Sequence, residues 1–212
     1  MAVNLVFDLD GTLTDPAEGI VKCLNYALSE HGHTSRKPVE LQRYIGPPLD
    51  ESFRDLLQLA ASEPVDDLVA TYRVRFARVG YTENVLYEGI PEALNDLRAA
   101  GLTLGVCTSK RVDFAEQILE LFSLRQYFEF VHGGDVGISK GQQLAELLEQ
   151  GHVDQNSTMI GDRRFDVAAA KSNGLRSAGV LYGYGDMQDL VAAAPDWLIS
   201  TPQEIATTFG CQ

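Results

Sequence analysis

The sequence predicts an α/β protein with a Rossmann-like parallel sheet at its core and an inserted all-helical domain. Over 86–212, short apolar runs alternate with helical segments about ten to fifteen residues long, which is typical of βαβ units and a parallel sheet. Over 15–85 the periodicity is helical throughout, without a convincing strand. We therefore predict a core formed by 1–14 and 86–212, with the helical domain inserted directly after the first strand.

Each element is predicted from a local pattern of apolar residues. Apolar runs predict six core strands, at 3–9, 102–107, 127–134, 157–162, 175–183 and 196–200. Helical spacing predicts five core helices, at 93–101, 112–124, 140–151, 163–174 and 201–210. It also predicts three helices in the inserted domain, at 17–32, 49–60 and 65–80, which are separated by loops that contain proline.

Composition and charge exclude several classes of function. The formal net charge of −13 argues against nucleic acid as a partner, because clusters of Lys and Arg bind phosphate backbones. No run approaches the roughly 20 apolar residues of a membrane helix, and no signal peptide pattern opens the chain. Cys23, Cys107 and Cys211 are too far apart to form a metal site or a disulfide framework. We expect a cytoplasmic protein without a membrane partner, and the sequence leaves its oligomeric state open.

Polar side chains follow several of the predicted strands. In an open parallel sheet, ligands bind at the carboxyl ends of the strands, so these side chains are expected to share one edge. The set combines four carboxylates with hydroxyl groups and a lysine that begins a helix. Its members are Asp8, Asp10, Thr108, Ser109, Lys140, Asp162 and Asp166.

This inventory suits phosphoryl transfer. Carboxylates with backbone oxygens and waters match Mg²⁺, which prefers oxygen ligands, and a bound cation lets an anionic nucleophile approach a phosphate. Thr108 can donate a hydrogen bond to a phosphoryl oxygen, and Lys140 can neutralise developing charge. Gly11 and Gly161 allow the backbone to turn close to the phosphate. Because the sequence shows no serine–histidine pairing, a carboxylate is the expected nucleophile.

Four segments in order, FDLDGTLTD, CTSK, the helix-starting Lys140 and GDRRFDV, resemble the four motifs of the haloacid dehalogenase superfamily. The resemblance covers the whole chain, with 15–85 in the place of that superfamily's helical cap. The chain as a whole resembles phosphoglycolate phosphatases and related small phosphatases, including nucleotidase-like members with a loop resembling YIGPPL. The resemblance therefore implies a phosphatase that acts on a small phosphorylated metabolite.

The resemblance also assigns roles to individual residues. Asp8 matches the nucleophile that forms an aspartyl-phosphate, and Asp10 matches the general acid and base. Thr108 matches the phosphate-binding hydroxyl, and Lys140 the lysine that balances charge around the nucleophile. Lys110 is a weaker candidate for that lysine.

The magnesium ligands and substrate contacts implied by the resemblance form two further sets. The Mg²⁺ ligands are the Asp8 carboxylate, the Asp10 backbone carbonyl and Asp162, with Asp166 often acting through water. The expected substrate contacts are Gly11, Thr108, Ser109 and, reaching over from the cap, Arg43.

Alternatives remain open at this stage. A dehalogenase would not need the acidic metal set, and a phosphonatase-type enzyme lacks the aspartate that matches Asp10. A sugar phosphomutase matches FDLDG, but those mutases usually carry a cap-hinge histidine where this chain has Ile20. A non-enzymatic phospho-receiver or binding module also gathers carboxylates, a threonine and a lysine around Mg²⁺, but it is shorter and has no large insertion.

Overall fold

The computed structural model describes residues 4–210 and contains six parallel strands in one sheet. Cys211 and the start of the predicted first strand, at Val3, lie outside the described residues. The described residues form eight strands: β1 Leu5–Phe7, β2 Thr14–Asp15, β3 Val85–Leu86, β4 Leu104–Thr108, β5 Phe128–Gly133, β6 Thr158–Gly161, β7 Arg176–Val180 and β8 Trp197–Ile199. Of these, β2 and β3 lie outside the main sheet.

Helices connect these strands and fill the insertion. They are α1 Ala17–Glu30, α2 Pro38–Leu41, α3 Leu49–Leu57, α4 Asp66–Arg78, α5 Ile90–Ala99, α6 Val112–Leu121, α7 Lys140–Glu149, α8 Arg164–Ser172, α9 Met187–Ala192 and α10 Pro202–Phe209. Three single 3₁₀ turns lie at Gln42–Tyr44, Gly80–Thr82 and Arg125–Tyr127. Within 4–210, none of the helices is both long enough and apolar enough to cross a membrane.

The strand order β5-β4-β1-β6-β7-β8 places the first strand in the middle of the sheet. Leu5 pairs with Leu104 of β4 on one side and with Thr158 of β6 on the other. All three β1 residues are buried, since a central strand of a parallel sheet is covered on both faces. This explains why β1 is a continuous apolar run in the sequence. Consequently the residues that follow β1 lie at the centre of the carboxyl edge.

A small antiparallel ribbon stands where the insertion leaves and rejoins the core. In it, Thr14 pairs with Leu86 and Asp15 pairs with Val85. Between these strands, residues 16–84 form helices and turns. The sequence does not predict the ribbon, because each strand is two residues long and too short to show a period. The division of the chain into two domains, with boundaries at 14/15 and 85/86, stays a prediction.

The insertion packs onto the core through aromatic rings. The Phe76 ring of α4 meets the Phe114 ring of α6 edge-on, with centroids 5.0 Å apart. Phe76 also stacks on Tyr72 of its own helix, with ring centroids 5.6 Å apart. One apolar cluster therefore runs from the helices of the insertion into the sheet, and it includes both Phe53 of α3 and Phe7 of β1.

Two differences from the predicted elements bear on the site. The strand predicted over 175–183 ends at Val180, and the chain then turns away as a loop. The second difference is α9, a six-residue helix at Met187–Ala192 that apolar spacing does not predict. Asp186 caps this helix, since its side chain accepts hydrogen bonds from the N–H groups of Gln188 and Asp189. The segment between β7 and α9 lies at the same sheet edge as the carboxylates.

Candidate active site

Three buried carboxylates meet at the carboxyl edge of the sheet. Asp8 directly follows β1, Asp162 directly follows β6, and Asp166 lies in the first turn of α8. One oxygen from each of the three lies within 4.8 Å of the others. Each residue is at most 3% exposed, so their charges are poorly screened by solvent. The structure thus brings together three of the four residues that we predicted as metal ligands.

Lys140 supplies the nearest positive charge. It is the first residue of α7, and its Nζ lies 2.8 Å from Asp8 Oδ2 and also donates to Asp166 Oδ1. Burial alone would lower the pKa of Lys140, but the charges of Asp166 and Asp8 outweigh it and raise the pKa above its usual value. The lysine therefore stays charged between the two carboxylates.

The charge balance of this cluster fits a divalent cation. Three carboxylates in their ionised form face the Lys140 ammonium and, 3.8 Å from Asp162 Oδ2, the Arg163 Nε, which leaves one negative charge unbalanced in a buried space. Within the described chain, Asp162 Oδ1 is buried without a hydrogen-bond partner, whereas Oδ2 accepts from the Tyr184 N–H at 2.7 Å. Burial, followed by the charges of Asp166 and Asp8, raises the pKa of Asp162 to about 7. An all-oxygen set of this charge is suited to Mg²⁺.

Asp10 lies apart from this cluster and has its own lysine. Lys110 Nζ lies 2.8 Å from Asp10 Oδ2, and the same ammonium sits 4.4 Å from the centre of the Phe76 ring. Burial raises the pKa of Asp10, and the nearby Lys110 charge opposes this increase only in part. The two lysines that competed for one role in the sequence therefore have separate partners, with Lys140 at Asp8 and Lys110 at Asp10.

Thr108 and Ser109 follow β4 beside these groups. Thr108 is buried, its Oγ1 accepts a hydrogen bond from the Lys110 N–H at 3.3 Å, and its carbonyl accepts one from Gln143 of α7 at 3.0 Å. Ser109 contributes to the walls of two clefts, one beside Asp10 and the other beside Asp8. Ser109 thus faces the cleft of each of the two carboxylates that we expect to share the chemistry.

Gly11 has a clear steric reason to be glycine. Its φ of +82° lies in the left-handed region, and a Cβ at this position would overlap the Asp162 carboxylate. The predicted contact between Gly11 and substrate stays a prediction. What the structure does show is a close approach of the first motif to a candidate metal ligand.

Two clefts separate the insertion from the core around these residues. A cavity of about 60 Å³ lies beside Asp10, and aromatic side chains of both parts line it together with Lys110 and Arg73. A larger cleft of about 440 Å³ contains Asp8, Lys140 and Asp166. The loop 46–48 of the insertion lines both clefts, so it covers the site from the cap side.

Arg43 is the predicted site residue that the structure does not bring to the carboxylates. Its side chain is 71% exposed, and its Nη2 lies 3.8 Å from Asp55 Oδ2. It lines a third cleft, beyond the two that hold Asp8 and Asp10. A substrate contact by Arg43 remains a prediction that this geometry does not support.

Arg163 is a site residue that was not predicted from the sequence. It lies between the candidate ligands Asp162 and Asp166, and its Nη2 donates to the carbonyls of Ile45 and, at 3.3 Å, Gln42 in the insertion. Arg163 thus ties the loop that carries Asp162 to the cap. No local pattern identifies such a contact, because its partners lie more than 100 residues earlier in the chain.

The loop after β7 is the second feature that was missed. The Tyr184 N–H binds Asp162, and the Tyr184 hydroxyl donates to Asp15 Oδ1. The Tyr182 hydroxyl donates to the Thr12 carbonyl at 2.9 Å. Ligands bind at the carboxyl ends of parallel strands, and this loop leaves the carboxyl end of β7, so the same rule could have identified it from the sequence.

Sequence comparison places the chain in a family. The family model described as haloacid dehalogenase-like hydrolase matches residues 5–180. The chain therefore belongs to this family, as its four motifs predicted.

Several curated relatives align over most of the chain. A 5'-nucleotidase from Pseudomonas aeruginosa is 37% identical, over 91% of this chain and 88% of the relative. A phosphoglycolate phosphatase from Vibrio parahaemolyticus is 30% identical, over 95% and 93%. The tyrosine-protein kinase PtkA of Mycobacterium tuberculosis is 36% identical over 85% of this chain, but the match spans only 62% of that protein.

Solved structures show the same architecture. A crystal structure of a predicted phosphatase from Clostridium acetobutylicum matches with a TM-score of 0.91 and 34% identity, over 98% of both chains. The predicted α/β fold with a helical insertion is confirmed. Family, fold and relatives together make the protein a phosphoric monoester hydrolase of the haloacid dehalogenase-like family.

Proposed function

We propose that the protein is a Mg²⁺-dependent phosphatase that hydrolyses a small phosphomonoester through an aspartyl-phosphate on Asp8. The observation that carries this proposal is the separation of two lysine–carboxylate pairs. Asp8 and Lys140 lie with the candidate metal ligands, whereas Asp10 and Lys110 lie beside the smaller cavity. Nucleophile and proton donor thus have different surroundings.

The candidate metal ligands are the carboxylates of Asp8, Asp162 and Asp166, together with the Asp10 backbone carbonyl implied by the family resemblance. A bound Mg²⁺ would offset the negative charge of the phosphoryl group and of the nucleophile. The donor set supports this assignment because its charge is incompletely balanced and Asp162 Oδ1 is unpaired within the described chain.

The protein groups then divide the reaction between them. The Asp8 carboxylate attacks phosphorus, and the bond from phosphorus to the leaving oxygen breaks while Asp10 gives that oxygen a proton. Asp10 next takes a proton from the water that hydrolyses the aspartyl-phosphate. Thr108 donates a hydrogen bond to a phosphoryl oxygen, and Lys140 balances the charge around Asp8. The raised pKa of the buried Asp10 suits a residue that must carry a proton before it donates one.

The leaving group enters the cavity beside Asp10. Its walls combine the aromatic side chains of Tyr44, Tyr72 and Phe76 with the cationic side chains of Lys110 and Arg73. The volume of about 60 Å³ favours a small group in the arrangement described here. The names of two relatives, phosphoglycolate phosphatase and 5'-nucleotidase, make phosphoglycolate and nucleoside monophosphates the substrates to compare, and the small cavity favours phosphoglycolate, whose leaving group is much smaller than a nucleoside.

The test is a panel of phosphorylated metabolites assayed for phosphate release, with Mg²⁺ present and with it chelated. We expect release to require Mg²⁺ and Asp8→Asn to abolish it. Asp96→Asn is the matched control, because Asp96 is exposed on α5, away from the site.

Three outcomes would overturn the proposal. Full turnover by Asp8→Asn would exclude the covalent mechanism. An isomerised sugar phosphate in place of free phosphate would identify a mutase. A phosphorylated protein that persists for hours without turnover would identify a phospho-receiver.

A further inference from the structure

Residues 181–186, which we call the tyrosine loop, contact three parts of the site at once. The loop leaves the carboxyl end of β7 and passes directly over Asp162. A Cβ on Gly183 or Gly185 would overlap atoms of Asp162, so the loop lies flat against this residue. Main-chain contact this close fixes the orientation of the Asp162 carboxylate.

The first contact concerns the metal ligand itself. The Tyr184 N–H donates to Asp162 Oδ2 at 2.7 Å, whereas Oδ1 of the same carboxylate is buried and has no partner among residues 4–210. One oxygen is therefore held by the protein, and the other stays available as a ligand. Hydrogen bonds to ligating carboxylates of this kind tune metal affinity in proteins generally.

The second contact reaches the ribbon of β2 and β3, where the insertion leaves and rejoins the core and which we call the hinge. The Tyr184 hydroxyl donates to Oδ1 of Asp15, which belongs to β2 of the two-stranded ribbon. The same oxygen accepts from the Ala17 N–H at 3.0 Å, at the start of α1. Burial and the hydrogen bond to Asp15 raise the pKa of Tyr184, so its phenol remains a donor at neutral pH. One residue thus touches a candidate metal ligand through its main chain and the hinge through its side chain.

The third contact holds the first motif. The Tyr182 hydroxyl donates to the Thr12 carbonyl at 2.9 Å, directly after Gly11. The Tyr182 ring packs edge-on against Tyr87, with centroids 5.1 Å apart, where the chain returns from the insertion. The loop is therefore fixed at both of its tyrosines to residues on the path between core and cap.

We propose that Tyr184 is a positioning residue that couples Mg²⁺ affinity to the hinge, by orienting Asp162 while it is anchored on Asp15. The inference rests on the proposed function only in taking Asp162 as a Mg²⁺ ligand. When the hydroxyl anchor is lost, the loop is free to shift, and the Asp162 carboxylate loses its fixed orientation.

The experiment measures Mg²⁺ binding by calorimetry in the absence of substrate. Tyr184→Phe keeps the ring and the main-chain N–H and removes only the hydroxyl. We expect its Mg²⁺ affinity to fall roughly tenfold, with much of the lost kcat regained at saturating Mg²⁺. Tyr127→Phe is the matched control, because its hydroxyl also bonds a side chain, Asn95 at 3.2 Å, but far from the site.

Asp15 tests the same contact from the other side. Asp15→Ala should weaken Mg²⁺ binding as Tyr184→Phe does, and the double variant should bind no more weakly than either single variant. Asp15→Asn keeps an acceptor oxygen and should restore most of the affinity. This set stays informative even if one variant folds poorly, which thermal unfolding in EDTA would reveal.

The outcomes separate this inference from the proposed function. If the wild-type protein binds no Mg²⁺, the proposed function fails. If the wild-type protein binds Mg²⁺ and Tyr184→Phe binds it equally well, the coupling is wrong. Additive losses in the double variant would also overturn it, because two residues that act through one contact lose it only once.

Discussion

At the scale of single residues, burial makes the ionised form of Asp162 costly in the folded protein. It is 1% exposed, and its pKa is raised to about 7 by burial and by the charges of Asp166 and Asp8. The folded protein therefore holds a proton on Asp162 at pH values where the unfolded chain has lost it. The contribution of Asp162 to the free energy of unfolding therefore falls as pH rises from about 4 to about 7, and it is constant above that range.

This pH dependence gives the first prediction. An asparagine side chain does not titrate, so Asp162→Asn should not lose stability over this pH range. In EDTA, the free energy of unfolding of the variant minus that of the wild type should therefore be roughly 2 to 3 kcal/mol larger at pH 8 than at pH 5. Urea unfolding of both proteins at the two pH values measures the difference. Saturating Mg²⁺ should then stabilise the wild type at pH 8 and leave the variant nearly unchanged. An equal difference at both pH values would contradict the raised pKa.

Gly11 gives the second prediction, with a control built into the chain. Gly11 and Gly32 both have positive φ, +82° and +76°, so alanine costs about 1 kcal/mol of backbone strain at either position. A Cβ at Gly32 meets nothing within 4 Å, whereas one at Gly11 overlaps the Asp162 carboxylate. Gly11→Ala should therefore lose Mg²⁺ binding and at least 100-fold in kcat/KM, on the order of 3 kcal/mol. Gly32→Ala should lose neither, and equal activity of the two variants would contradict the prediction.

The residue scale also shows where sequence reasoning stops. Asp8, Asp162 and Asp166 could be predicted because each directly follows a strand or begins a helix at one sheet edge. The role of Lys110 was not predicted, because the sequence does not show that Lys110 pairs with Asp10 and Lys140 with Asp8. Such pairings depend on side-chain direction, and strand and helix periods do not fix it.

At the scale of elements, Arg163 joins the start of α8 to the cap. Its Nη2 donates to the carbonyl of Gln42, within the 3₁₀ turn Gln42–Tyr44, and to that of Ile45, directly after the turn. Gly46 lies close beside it, where a Cβ would stand 3.3 Å from Arg163 Nε. The contact holds the loop 46–48, which lines both clefts, above the carboxylates.

The third prediction follows from this contact. Arg163→Met keeps the side-chain stem and removes the donors, so the cap loop should close less tightly over the substrate. We expect KM for an aryl phosphate to rise roughly tenfold, about 1.4 kcal/mol, with kcat changed less. Arg164→Met is the control, since Arg164 is 58% exposed and lies 3.9 Å from Asp189. A loss confined to kcat would show that Arg163 acts on the chemistry and not on cap closure.

Elements long enough to show a period were predicted, and shorter ones were not. All six strands of the main sheet and the longer helices followed from apolar spacing. The missed elements were the two-residue strands of the ribbon, the four-residue α2 and the six-residue α9. These depend on tertiary pairing or on a cap such as Asp186, so a period in the local sequence does not reveal them.

At the scale of the whole molecule, the insertion and the core share one apolar cluster. Phe76 of α4 is 1% exposed and lies at the junction, in contact with Tyr72 on its own helix and Phe114 of α6. A boundary with this much apolar contact ties the stability of the two parts together. We therefore expect them to unfold as one cooperative unit.

The single tryptophan makes this fourth prediction measurable. Trp197 lies on β8, in the core, with its ring 5.2 Å from Phe209, so its fluorescence reports core unfolding alone. Circular dichroism reports the helices of both parts. The two signals should give the same midpoint in urea, and Phe76→Ala should lower both together, by about 3 kcal/mol in the free energy of unfolding. If the helical signal of Phe76→Ala were lost first, with the fluorescence midpoint unchanged, the insertion would be an independent folding unit.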